Sequence, residues 1–206
     1  MLWLAACALR PPAAAVTDVR PKTFVFTCSD GYEFVARLVG EQAWIFTAEA
    51  TVELRHVSAA SGAKYTGEDV VFWSKGALAS LDWGDGRHSD CRNDPQRAVW
   101  EHAKLDGVDF RAVGNEPGWY LEIREQSRIL LVSDYGTSRY EFSLSSPVVD
   151  HDAGTTRYDA HAEGHDLVVV LRAAACRDSM SGEGFETEVL LTLDGRSLRG
   201  CGRPLH

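Results

Sequence analysis

The amino-acid sequence predicts an all-β protein built from two small domains. Its apolar residues come in short runs, rich in β-branched and aromatic side chains and cut by Gly and Asp. No apolar period of 3.6 residues is sustained, which argues against a helical bundle. A polar stretch, Asn93–Lys104, holds Pro95 and interrupts the runs near the middle of the 206 residues. The expected division is a truncated leader and tether at 1–21, a first β domain at 22–94, a linker at 95–106 and a second β domain at 107–206.

The elements follow in order. Phe24–Phe26 leads to Cys28, and the turn Ser29-Asp30-Gly31 opens a strand over Tyr32–Leu38. Further strands are expected at Ala43–Thr47, Thr51–Val57, Asp69–Trp73 and Leu78–Trp83, before a turn at Gly84-Asp85-Gly86. The stretch Asn93–Lys104 reads as one short helix or as a linker. Strand patterns resume at Val108–Val113, Trp119–Arg124, Ile129–Ser133, Ser138–Leu144, Thr155–His161, Leu167–Leu171, Phe185–Leu193 and Leu198–Cys201.

Five cysteines point to a compartment outside the cytoplasm. Cys7 closes Leu4-Ala5-Ala6-Cys7, the pattern of a bacterial lipoprotein processing site. Only six residues precede it and none is basic, so the leader is expected to be truncated. With Cys7 lipidated, Cys28, Cys91, Cys176 and Cys201 remain, an even number that can pair fully. Four thiols allow three connectivities, and containment within each domain is the simplest. No run approaches the 18 or more apolar residues of a membrane helix, so attachment would come through acyl chains. The segment Arg10–Pro21, rich in Pro and Ala, reads as a tether from that anchor. The expected location is the outer membrane facing the periplasm, or the periplasm itself.

Charge narrows the partners. The net charge is −9, with 7 basic and 11 acidic side chains in residues 22–94 and 12 and 18 in residues 96–206. No basic patch suits a phosphate backbone, so nucleic acid is not expected. An acidic surface favours a basic protein partner. No HExxH or CxxC spacing occurs among the seven histidines and five cysteines, and no metal or other cofactor is expected.

The densest signal runs from Ser61 to Leu81. Ser61-Gly62 and Lys75-Gly76 read as two tight turns, each setting a polar side chain beside a glycine that lets a partner approach. Trp73 is two residues from Lys75, so both lie on one face of a strand, where the indole can prop the lysine stem. Taken alone, Ser61 is an ordinary turn residue and Lys75 a solvated lysine. A Ser–Lys catalytic dyad would need a desolvated lysine and an oxyanion hole, and nothing in the sequence requires either.

The elements Cys28-Ser29-Asp30-Gly31, Ser61-Gly62-Ala63-Lys64-Tyr65, Phe72-Trp73-Ser74-Lys75-Gly76 and Cys91 together resemble the family of bacterial inhibitors of C-type lysozyme. The resemblance covers about Phe24 to Cys91. It implies an antiparallel eight-stranded barrel in a periplasmic protein or membrane-bound lipoprotein, with a disulfide between Cys28 and Cys91. It also implies that Ser61 and Lys75 enter the lysozyme cleft, with Gly62, Tyr65 and Gly76 in the same binding elements. A glycosidase of that kind works with two carboxylates. An ammonium between them and a hydroxyl beside them would block the sugar site. The resemblance thus implies an inhibitor and not an enzyme. The alternative is an envelope binding or structural lipoprotein whose barrel does not inhibit.

The second half resembles an uncharacterised family of bacterial envelope proteins, often lipoproteins, over about Asp109 to Arg203. The elements that carry the likeness are Gly114-Asn115-Glu116-Pro117-Gly118-Trp119, Cys176-Arg177-Asp178-Ser179-Met180-Ser181 and Gly200-Cys201. Glu116, Trp119, Asp178 and Ser179 are its candidate site. The plainer expectation is that Glu116 and Asp178 cap turns while Trp119 fills the core.

Overall fold

The computed structural model describes residues 20–125 and 127–206. Cys7 and nearly all of the tether lie outside them. The first half holds eight strands: β1 (Lys22–Thr27), β2 (Glu33–Val39), β3 (Gln42–Phe46), β4 (Thr51–Val57), β5 (Ala63–Thr66), β6 (Val70–Lys75), β7 (Leu78–Trp83) and β8 (Gly86–Asn93). They close into one antiparallel barrel in chain order. Alternation along each strand sends Phe26, Phe34, Ile45, Leu54, Phe72 and Leu81 inward. The rings of Phe26, Phe34 and Phe72 meet at 5.1–5.9 Å between centroids, one pair stacked, one tilted and one edge-on. The sequence pattern missed β5 and β8. β5 is four residues long, and β8 (GRHSDCRN) has almost no apolar side chains, because Cys91 is its one fully buried residue.

Helix α1 (Pro95–Leu105) follows, so Asn93–Lys104 is largely a helix and not an open linker. Asp94 caps it: its carboxylate accepts from the Gln96 and Arg97 amides at 3.0 and 3.1 Å, and Pro95 stands in the first turn. Arg97 holds Glu33 of β2 through two bonds of 2.7 and 2.9 Å. Arg37 reaches Asp106 at 2.5 Å, and the Thr23 hydroxyl meets the His102 ring at 3.0 Å. Trp100 packs on Phe185 and Cys201 of the second half. The helix therefore ties both sheets together.

The Arg97 guanidinium and the Thr27 hydroxyl hold the Glu33 carboxyl at a pKa of about 2, against its usual 4.5. A depressed carboxyl stabilises the fold fully above the unfolded value and loses that contribution as pH falls from 4.5 toward 2. Both side chains are about half exposed, which caps the effect at about 1 kcal/mol. Glu33→Gln is expected to flatten the acid limb of the urea midpoint between those pH values. An acid limb identical to the unmutated one would remove the pair from the account.

The second half is a nine-stranded antiparallel sheet curled into an open half-barrel, in the order β12-β11-β10-β9-β17-β16-β15-β14-β13. Its strands are β9 (Phe110–Asn115), β10 (Gly118–Arg124), β11 (Arg128–Ser133), β12 (Ser138–Ser143), β13 (Val148–Asp150), β14 (Thr155–Ala162), β15 (His165–Arg177), β16 (Gly184–Leu193) and β17 (Arg196–Pro204). Leu121, Ile123, Ile129, Leu131, Phe142, Leu167, Val169, Val189 and Leu191 fill its concave side. Three-residue β13 carries too little pattern to be seen in sequence. β15 runs six residues beyond the Leu167–Leu171 pattern, through Ala173-Ala174-Ala175, which lacks β-branched residues.

Both disulfides lie within their own sheets, Cys28–Cys91 in the barrel and Cys176–Cys201 in the half-barrel. Cys176 belongs to β15 itself, so its bond joins the two strands that flank β16.

Candidate functional site

Strand directions alternate around the barrel, so the β4–β5 connection and the β6–β7 turn emerge at the same end. The first carries Ser61 and the second begins at Lys75. The β5–β6 ladder pairs Ala63 with Ser74. One step further, Gly62 lies beside Lys75: a Cβ built on Gly62 would stand 3.2 Å from the Lys75 Cβ and would run into the Ser74 carbonyl oxygen. Gly62 also has φ +72°, a conformation costly to other residues. The Trp73 indole N–H donates to the Ser61 carbonyl at 2.9 Å and pins the loop to β6. The sequence placed Trp73 beside the lysine stem but gave no sign of this bond, which depends on the loop's path.

The Ser61 and Lys75 side chains both face solvent. Among the described residues Lys75 has no ion pair and the Ser61 hydroxyl no hydrogen bond. Lys75 is thus a free cation at one end of an acidic barrel. Gly76 and Ala77 form the two-residue turn between β6 and β7. Of the two only Gly76 has a positive φ, +63°, the pattern of a II′ turn. A Cβ there would meet nothing within 4 Å, so the tip is open to a partner.

The two glycines allow a comparison. Gly62→Ala and Gly76→Ala share the positive-φ cost of about 1–2 kcal/mol. Only Gly62→Ala adds a backbone collision. It is expected to lower the urea midpoint more than Gly76→Ala does. Equal losses would mean that the close approach of the loop to β6 is absent.

Tyr65 does not join this end. It is 5% exposed inside the barrel, stacked on Phe72 and edge-on to His56, and burial pushes its phenol up. The two-residue alternation from Ala63 turns it inward, so it supports the wall beneath the site.

In the second half, the two sequence elements meet. The Asn115 amide donates to Asp178 at 2.7 Å and to the Ser179 hydroxyl at 2.9 Å. Asp178 also accepts from the Ser181 amide and hydroxyl and the Met180 amide, at 2.7, 2.8 and 3.1 Å. Burial would raise this carboxyl, but the bonds from Ser181, Asn115 and Met180 hold it below its usual range. Its acceptor sites are filled by its own loop, so Asp178 builds a turn. Trp119, 5% exposed, lies flat over Gly114 and Gly200, where any Cβ would strike its ring. Glu116 is exposed in the β9–β10 turn, next to the cis peptide bond with Pro117. Only Asp178 and Ser179 of the four expected site residues are brought together with a common partner. Among the described residues no group of three His, Cys, Asp or Glu could hold a metal ion, and no helix is long and apolar enough to cross a membrane.

Residues 26–90 match the family of membrane-bound lysozyme-inhibitor of c-type lysozyme. The matched segment contains Ser61, Gly62, Tyr65, Lys75 and Gly76, and it ends before α1. The chain is also similar to MliC of Pseudomonas aeruginosa, a protein crystallised in complex with hen egg white lysozyme. The two are 23% identical, over 46% of this chain and 99% of that one, with a TM-score of 0.30. No curated protein matches the chain. The lysozyme-inhibitor match thus concerns the barrel, and the half-barrel stands outside it.

Proposed function

We propose that this protein inhibits C-type lysozyme through the barrel end that carries Ser61 and Lys75. The observation that supports it is a free lysine and a free serine at one barrel end, with Gly62, next to Ser61, packed beside Lys75, inside the segment that matches the inhibitor family. Inserted into the cleft, the Lys75 ammonium would sit against the glycosidase carboxylates and take the place of substrate. Ser61 would donate to a carboxylate oxygen. Each charge-assisted bond is worth about 1.5–3 kcal/mol. The open turn at Gly76 would let the tip enter without steric cost, and Gly62 would keep both side chains at one height. The chemistry is occupancy, so the protein acts as an inhibitor and not as an enzyme. The net charge of −9 would steer a basic lysozyme toward it, faster at low salt. A lipid on Cys7 would hold the barrel at the outer membrane, facing the periplasm and the wall that lysozyme attacks.

The test is the clearing of a bacterial cell-wall suspension by a C-type lysozyme, with and without the purified protein. Stoichiometric suppression of clearing supports the function. Clearing at the uninhibited rate, with the protein folded and in excess, overturns it.

A further inference from the structure

A cleft of about 560 Å³ opens between β1, helix α1 and the half-barrel, at the barrel end that also carries Ser61 and Lys75: Asn93 lines it, and the Asn93 amide donates to the Ala77 carbonyl of the turn after Lys75. Such junctions between two sheets are common places for small ligands. One wall is apolar: Phe24, Pro95, Ala98 and Val99 line it, with Val99 47% exposed although it lies on a docked helix. Opposite stand Arg111 and Glu122, paired across β9 and β10 and joined by a salt bridge. Arg111 is 7% exposed and lies 4.5 Å over the Tyr120 ring, and its burial disfavours the charge. A buried ion pair adds little to stability, and the lysozyme-facing end does not use this one.

The polar groups around the cleft are mostly donors. Glu122 is taken up by Arg111. The Arg111 guanidinium has five N–H bonds; one goes to Glu122, and Nε has no acceptor. The Asn93 carbonyl accepts from the Val25 amide at 3.1 Å, which leaves its amide N–H groups as donors. Lys22 at the mouth has no ion pair among the described residues. Thr23 and His102 satisfy each other. An apolar wall facing spare N–H donors complements a ligand with an apolar body and an anionic head. We infer that this cleft binds a small amphiphilic carboxylate of the fatty-acid type.

The test uses the full chain without detergent and two probes. 8-Anilinonaphthalene-1-sulfonate, an apolar anion, reports occupancy by fluorescence; decanoate and decyltrimethylammonium compete for it. Expected are one saturable site, displacement by decanoate at a concentration at least tenfold below that needed with the cation, and a loss of at least tenfold in probe affinity in Val99→Glu. Arg111→Met is expected to lose affinity too. If that variant fails to fold, Val99→Glu, which changes a half-exposed helix position, still decides. Val99→Glu is expected to keep the unmutated urea midpoint, since Val99 is 47% exposed, and that shows the variant folded. Absence of saturable binding, undiminished binding by Val99→Glu, or equal displacement by both competitors overturns the inference.

Discussion

Lys75→Ala is expected to weaken inhibition of a C-type lysozyme at least tenfold while leaving the urea midpoint unchanged. The side chain is exposed and touches no charged partner among the described residues, so the barrel does not depend on it. Its removal deletes one charge-assisted contact of about 1.5–3 kcal/mol, which corresponds to roughly 10- to 150-fold in affinity. In a water-poor cleft the loss tends toward the upper end, because the partner carboxylates are then left without a counter-charge. Lys75→Arg separates charge from shape: it keeps the cation but presents a planar fork in place of a point charge. Intermediate inhibition by Lys75→Arg fits a cation seated between carboxylates. Full inhibition by Lys75→Ala would take the lysine out of the mechanism, whatever the barrel does by other surfaces.

Much of this site was legible because it rests on glycines. Gly62 and Gly76 marked two turns, and every second connection of an antiparallel barrel comes out at a common end. What sequence did not give was the hydrogen bond from Trp73 to Ser61, since it depends on how the 58–62 connection bends back. Tyr65 shows the opposite failure. It sits in the same motif as Ser61, yet strand alternation, which the short segment Ala63–Thr66 was too brief to reveal, turns it inward. Strands were found wherever β-branched residues alternate and lost where polar residues carry the ladder, as in β8. The Asn115–Asp178 contact joins positions 63 residues apart, and no local pattern reports such a pairing.

The second large effect is expected from Cys28→Ala/Cys91→Ala. The barrel closes where β1 meets β8, and their ladder has only two registered pairs, Phe26–Asn93 and Thr27–Arg92. Cys28 and Cys91 stand next in that register, so the disulfide extends the seam covalently. Its residues are 63 apart, and chain entropy assigns such a cross-link about 4 kcal/mol. Cys176–Cys201, 25 residues apart, is worth about 3.5 kcal/mol by the same measure. Either is a large share of the roughly 5–15 kcal/mol that holds a domain together. The consequence for function is asymmetric. The Asn93 amide at the end of β8 donates to the Ala77 carbonyl at 2.9 Å, so the seam also braces the turn that follows Lys75. Loss of the barrel disulfide is therefore expected to abolish inhibition at urea concentrations where the half-barrel still gives its native near-ultraviolet signal. Loss of Cys176–Cys201 is expected to melt the half-barrel earlier and leave inhibition in place. Inhibition that tracks the second disulfide instead would mean that lysozyme is held through the half-barrel, and that the seam is not what keeps Lys75 in position.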